Sequence, residues 1–216
     1  MSISGQTFEF LQSALRNSPL DLSETRMCQL GRVDMDVKGT FTGPAEEYFK
    51  SLGIKHTCIE DVADLSKPLR QRHENQYHMV VDFRAIERLE NQYQCFLNIH
   101  KMCRQDGLMI HSIPTPGHWP GKSRFYYSKE FFDQLSRANR YMLMFLGYIA
   151  HRDIPQSGLT CAMLRKTTDA VFIGRDAFNE FPLVEKEFTE EAIEVVTKRS
   201  GLAGMLDRFR GNKAKR

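Results

Sequence analysis

The sequence predicts an α/β fold: a mostly parallel sheet with helices on both faces and an antiparallel hairpin at its edge. Strand-like and helix-like runs alternate from Arg26 to Asn139, the pattern of a parallel sheet built from crossover units. Tyr141–Ala150 and Leu159–Leu164 then follow as two strand-like runs separated only by a turn at Asp153-Ile154-Pro155-Gln156-Ser157-Gly158, so they pair directly. The chain has 216 residues, 41% hydrophobic and 26% charged, an ordinary globular mixture with enough length for a real core.

Each element has a local reason. Thr7 to Leu15 reads as a short amphipathic helix closed by Asn17-Ser18-Pro19. Arg26-Met27-Cys28-Gln29-Leu30 is a buried-strand run ending at Gly31. Pro44 to Leu52 is helical, with proline at its start and Gly53 just past its end. Lys55–Ile59 is a second strand, and Val62–Leu65 a very short third one ended by Ser66-Lys67-Pro68. His78–Phe83 is the clearest strand. The helix after it, Glu90 to Arg104, aligns Tyr93, Phe96, Leu97 and His100. Asp106-Gly107 stops that helix and Leu108–Ile113 is the next strand. A loop rich in proline and glycine covers Pro114 to Phe125. Ser128 then caps a helix that runs to Asn139, and a last helix is expected from about Thr189 to Arg210.

Charge divides unevenly. Residues 198–216 hold seven basic side chains against Asp207, a net +6, whereas the rest has 23 basic against 26 acidic. The basic excess is a tail, not a face of the body, so no nucleic-acid partner is expected. Leu202, Met205, Leu206 and Phe209 repeat at helical spacing beside those cations. Such a helix packs on its own domain, lies on an anionic membrane surface, or docks on a protein partner. No run of about 18 apolar residues exists, and Met1–Gln6 lacks a charged segment leading into an apolar one, so neither a span nor a signal peptide is expected. Five cysteines without a Cys-x-x-Cys pair suit a reduced, cytoplasmic setting, where they read as small buried apolar residues. His100, His111 and His118 match no compact metal pattern, and no metal is expected.

In open parallel sheets ligands sit at the carboxyl ends of the strands. That directs attention to Gly31–Asp36, Glu60–Asp61, Asp82–Glu87 and His111–His118. Glycine after the first strand lets backbone N–H groups approach a ligand, and an acid after the second accepts both hydrogen bonds of a ribose diol. The histidines suit proton transfer. Glu87 reads either as an acceptor-binding carboxylate or as a solvated loop acid.

The series Gln29-Leu30-Gly31-Arg32-Val33-Asp34, Ile59-Glu60, Val80-Val81-Asp82-Phe83 and Gln105-Asp106-Gly107-Leu108-Met109-Ile110-His111 resembles the class I S-adenosylmethionine-dependent methyltransferases of the broad small-molecule type. Glu90–His100 and Pro116-Gly117-His118-Trp119-Pro120-Gly121 add to the likeness, which runs from Arg26 to Thr167. It implies a Rossmann-like domain over residues 26–170, with an N-terminal helical segment at 1–25 and a connector, helix and basic tail at 171–216. It implies S-adenosylmethionine as cofactor: Leu30, Gly31 and Asp34 at the methionine end, Glu60 on the ribose with Asp61 as an alternate, Asp64 and Leu65 on the adenine, Phe83, Arg84 and Ala85 near the reacting methyl, and Asp82 among the cofactor contacts. His111 or His118 would serve as base or ligand for a small-molecule or carbohydrate-like acceptor.

The series also departs from the family pattern. Gln29 stands where an acid is usual, Gly31 is the loop's single glycine, and Arg84 stands where small residues are frequent. Three readings therefore stay open. The first is a methyltransferase. The second is a non-catalytic methyltransferase-fold module for binding or assembly. The third is a sugar-modifying enzyme with Asp34-Met35-Asp36 as a metal-holding Asp-x-Asp.

Overall fold

The computed structural model describes residues 2–150 and 156–186. In chain order the elements are β1 (Ser2–Ser4), α1 (Gly5–Arg16), β2 (Arg26–Leu30), β3 (Asp34–Val37), β4 (Phe41–Pro44), α2 (Ala45–Ser51), β5 (Lys55–Ile59) and β6 (Tyr77–Phe83). They continue with α3 (Gln92–Met102), β7 (Cys103–Pro114), β8 (Phe125–Tyr127), α4 (Lys129–Ala138), β9 (Met142–Ile149), β10 (Leu159–Arg165), α5 (Arg175–Asn179) and β11 (Leu183–Glu185). The expected last helix and basic tail lie outside the described residues.

Six strands form the central sheet in the order β5-β2-β6-β7-β10-β9. The first four are parallel, and β10 pairs antiparallel with both β7 and β9. This is the α/β, Rossmann-like, mostly parallel sheet with an antiparallel edge hairpin. Side chains alternate between the two faces, as the pleat requires. Leu30, Val80, Met109 and Ala162 bury on one face against Phe96 and Ile99 of α3 and Phe131, Phe132 and Leu135 of α4. Met27, Met79, Val81, Ile110 and Met163 bury on the other against Phe8 and Leu11 of α1 and Phe49 of α2. At roughly 1.5–3 kcal/mol for each fully buried large apolar side chain, both faces contribute heavily to stability.

Local signals explain the helix ends. Ser128 accepts a hydrogen bond from the Phe131 N–H at 3.1 Å and opens α4, and Asn91 accepts one from the Gln94 N–H at 3.2 Å and opens α3. That cap sets the start of α3 two residues later than the periodicity suggests. Gly53 follows α2 with φ +82, a backbone state that side chains resist.

Three features differ from the sequence expectation. Val62–Leu65 is not a strand but part of a 3-10 turn, Val62–Ser66, because the Asp61 side chain accepts from the Ala63 N–H and starts a turn instead. The sheet therefore ends at β5. The first loop leads into a hairpin, β3–β4, whose strand β3 pairs in parallel with β1, so residues 2–4 join a small second sheet. Finally, β7 begins at Cys103, directly after α3, five residues before the expected Leu108.

Candidate functional site

The chain leaves β2 toward β5 on one side, then returns to β6 on the other side. The topological switch, where such sheets hold ligands, thus lies between the carboxyl ends of β2 and β6. Gly31 stands there with φ +73 and donates its N–H to the Ile59 carbonyl at 2.8 Å. A Cβ at Gly31 would meet Val62 Cγ1 at 3.3 Å and Ala85 Cβ at 3.4 Å. Val62 and Ala85 therefore close over the glycine. The chain then enters the β3–β4 hairpin, so no helix N-terminus follows the loop directly.

Beside the switch, at the sheet edge, a cavity of about 480 Å³ opens along β5. Glu60, Asp61, Asp64 and Leu65 line it together with Ile59, Lys67 and Arg70. The Glu60 carboxylate meets Arg32 Nη2 at 2.6 Å, and this contact raises the Arg32 pKa further. Asp64 lies 3.7 Å from Lys67 and 3.6 Å from Arg70. Leu65 is buried, and Asn98 Nδ2 fixes its turn by donating to the Leu65 and Lys67 carbonyls at 2.8 and 2.7 Å.

A second assembly lies at the carboxyl ends of β6 and β7 and is almost wholly buried. Asp82 accepts from the Ala85 N–H through Oδ1 at 2.9 Å, and its Oδ2 lies 3.4 Å from His111 Nδ1. Glu87, in the 3-10 turn Ile86–Arg88, is completely buried, 3.7 Å from Arg84 Nε. Burial, followed by the Asp82 charge, pushes its carboxyl up to about 8 against the pull of Arg84. Arg84 itself is held at φ +63 with its guanidinium 3.7 Å over the Trp119 ring. A non-glycine residue in that region stores strain, a feature that clusters at functional sites. Tyr127 donates to Gln92 Oε1 at the floor of this assembly, and Gln92 in turn donates to the Ile86 and Leu89 carbonyls that carry the Glu87 turn.

The anticipated residues thus separate into groups. Glu60, Asp64 and Leu65 share one cavity; Asp82 and His111 form a buried pair. Leu30 is buried at the end of β2 on the face of α3, and Phe83 is buried on the opposite face. Asp34 is exposed at the start of β3, paired through its backbone with Ser2 and Pro44. His118 has both ring nitrogens engaged: Nδ1 accepts from the Gly158 N–H at 2.9 Å and Nε2 lies 3.1 Å from the Tyr148 hydroxyl. It clasps the Pro-rich loop to the β9–β10 hairpin.

Arg84 joins the assembly through Glu87, and Trp119 of the Pro-rich loop joins it through Arg84, a connection between the two that the sequence did not indicate. Glu87 is no solvated loop acid. Its burial follows from the 3-10 turn and from Arg124, whose N–H caps the Glu87 carbonyl at 3.1 Å. No sequence signal marks that long-range contact. Among the described residues no group of three or more His, Cys, Asp or Glu side chains is placed to hold a metal ion, and Asp34 and Asp36 form no such group. Burial pushes the thiols of Cys28, Cys95, Cys103 and Cys161 up to about 12, which removes the thiolate that nucleophilic chemistry needs.

No family model matches the chain, and no curated protein matches it. Solved structures do. The Burkholderia thailandensis 1,6-didemethyltoxoflavin-N1-methyltransferase, with bound 1,6-didemethyltoxoflavin and S-adenosylhomocysteine, superposes with a TM-score of 0.44 at 11% identity, over 75% of this chain and 84% of that one. The N-methyltransferase NodS from Bradyrhizobium japonicum WM9 does so with 0.46 at 13% identity, over 74% and 96%. The [4+2]-cyclase SpnF gives 0.47 at 12% identity, over 74% and 80%. The chain's own strand order, rather than this likeness, defines its fold.

Tested against an adenosyl sulfonium, the site fits in one half. Glu60, Asp64 and Leu65 offer the adenosine end an acid, a second acid and an apolar wall around one cavity. At the methionine end, Val62 and Ala85 occupy the approach to Gly31.

Proposed function

We propose that this chain is an S-adenosylmethionine-dependent methyltransferase with a small-molecule acceptor. The observation that carries the reading is the cavity along β5, which gathers Glu60, Asp64 and Leu65 next to the switch point. When bound, the cofactor supplies a methyl group on a sulfonium leaving group. The chain's own contribution is positioning, the larger part of catalysis for an in-line displacement. Glu60 takes the ribose hydroxyls after exchanging its contact with Arg32. Asp64 and Leu65 face the adenine. His111 is the preferred proton acceptor: Nδ1 turns toward Asp82, which fixes the ring and leaves Nε2 free of any partner. His118 keeps its role as a clasp.

One observation favours the second reading, a non-catalytic module: the cover of Val62 and Ala85 over Gly31. Thermal unfolding with and without S-adenosylmethionine or S-adenosylhomocysteine decides between them. Ligand at about 100 times its dissociation constant should stabilise by about 2.7 kcal/mol. In a chain of this size that is roughly 5–11 °C. Glu60→Ala should remove the shift, and Val62→Ala, which thins the cover, should enlarge it. No shift at millimolar ligand in either the parent or Val62→Ala refutes the enzymatic reading and leaves the binding module.

A further inference from the structure

We infer that the site recognises the nucleoside part of its ligand alone: a neutral nucleoside or its 5′-thioether is held along β5, and the α-amino-acid end of an S-adenosyl ligand gains no affinity at the Gly31 loop. The inference rests on the proposed placement of the ligand in the β5 cavity, not on methyl transfer.

The cavity stops short of the glycine loop. It runs from Thr57 along β5 to Glu60 and Asp61, over Leu65 and out to Arg70. Among the described residues, those that line it include neither Gly31 nor Val62 nor Ala85. Its volume of about 480 Å³ falls within the roughly 300–1,000 Å³ of small-molecule sites.

The polar groups of the switch point are already engaged inside the protein. Gly31 donates its N–H to the Ile59 carbonyl at 2.8 Å, and its own carbonyl accepts from Gln29 Nε2 at 2.7 Å. Gln29 is buried and held in turn: its Oε1 lies 3.2 Å from His56 Nε2, and the His56 ring stacks on Phe49 with centroids 5.7 Å apart. Asp82, the buried acid at the end of β6, accepts from the Ala85 N–H through Oδ1 and faces His111 Nδ1 through Oδ2. Val62 and Ala85 then present methyl groups over Gly31. An α-amino acid is a zwitterion, whose carboxylate needs donors and whose ammonium needs acceptors. Under that cover both charges would lose their water against apolar surface, and Gln29 is a neutral amide that attracts neither. The amino-acid end is therefore better left in solvent.

The nucleoside end has the opposite character. Lys67, Arg70 and Arg72 balance Glu60, Asp61 and Asp64 in the lining, which suits a neutral guest. Releasing Glu60 from Arg32 costs little: the two side chains are 59% and 77% exposed, and exposed pairs contribute about 0–1 kcal/mol. The freed carboxylate accepts both hydrogens of a ribose diol, and Ile59 and Leu65 give a base an apolar wall.

Isothermal titration calorimetry on the full chain tests this with adenosine, 5′-methylthioadenosine and S-adenosylhomocysteine. The last two share the nucleoside and the thioether and differ by the amino-acid end. We expect that end to add less than about fivefold in affinity, or to reduce it. Glu60→Ala, a change at an exposed side chain, should weaken all three by about tenfold and by a common factor. S-adenosylhomocysteine bound more than about fivefold tighter than 5′-methylthioadenosine overturns the inference and leaves the methyltransferase reading standing. The two nucleosides bound without S-adenosylhomocysteine would support the inference and remove the methyltransferase reading. No binding of any of the three at millimolar concentration overturns both. Nucleoside binding unchanged in folded Glu60→Ala also overturns the inference, because the ligand then lies outside the β5 cavity.

Discussion

Replacing Glu87 by glutamine should flatten the pH dependence of stability. Glu87 is completely buried, and its carboxyl moves from 4.5 to about 8, chiefly by burial and then by the charge of Asp82, with Arg84 and Arg88 opposing. Between those values the folded protein keeps a proton that the unfolded chain has released. Stability is therefore full at low pH and declines as pH rises toward 8. One pKa unit corresponds to about 1.4 kcal/mol, so raising the pH from 5.5 to 7.5 should cost about 2–3 kcal/mol through this group alone. For a domain of this size the equivalent fall in Tm is roughly 5–10 °C. Urea melts of the parent and of Glu87→Gln, taken at half-unit intervals, isolate the effect by difference, because Asp82, Arg84, Arg88, Tyr126 and Tyr127 are common to both. A difference that stays constant across the range, or grows in the opposite direction, would show that the Glu87 carboxyl is ionised in place and would refute the reasoning.

Three further substitutions test the scaffold. Gly107→Ala puts a Cβ 2.7 Å from Cys103 Sγ and 2.9 Å from the Arg104 carbonyl, and should lose about 1–3 kcal/mol in denaturant melts. Lys166→Met removes a buried ammonium that donates to the His100 and Cys103 carbonyls at 3.2 and 3.1 Å, leaving both short of a partner at a net cost of about 2 kcal/mol. Burial and then Lys166 depress the His100 imidazole to about 4, so the same variant should raise the His100 pKa in an NMR titration. Ser128→Ala strips the cap from α4 and should cost about 1 kcal/mol by thermal melt.

The sheet was legible because its strands obey local rules. Val80-Val81 sits between Met79 and Asp82 in a run too apolar for anything but a buried strand, and Ser128 announces α4 by its hydroxyl. The β3–β4 hairpin was not legible: Asp34-Met35-Asp36 has no β-rich composition, and its pairing partner is the distant Ser2–Ser4. Val62–Leu65 looked like a strand because it is apolar, yet Asp61 caps a turn there. The site shows the same division. Glu60, Asp64 and Leu65 were found because they follow a strand at short range. Glu87 needed knowledge of Arg124, and Arg84 needed knowledge of Trp119, contacts of long sequence separation that periodicity does not encode.

The two halves of the site differ in what closes them, and this bears on how the protein would work. Over Gly31 the cover is apolar: Val62 belongs to a 3-10 turn whose carbonyls Asn98 holds from α3, so opening it shifts a turn but leaves no buried charge behind. Over Glu87 the cover is a cation stacked on an indole, held by hydrogen bonds from the loop, and opening it exposes Arg84 and a protonated acid to water. Water would lower the Glu87 pKa and release its proton, so opening of that loop is favoured as pH rises and closure as pH falls. Entry at the Gly31 side carries no such linkage. The cover over Gly31 is thus indifferent to pH, whereas the packing of Arg84 and Trp119 over Glu87 is favoured while Glu87 keeps its proton.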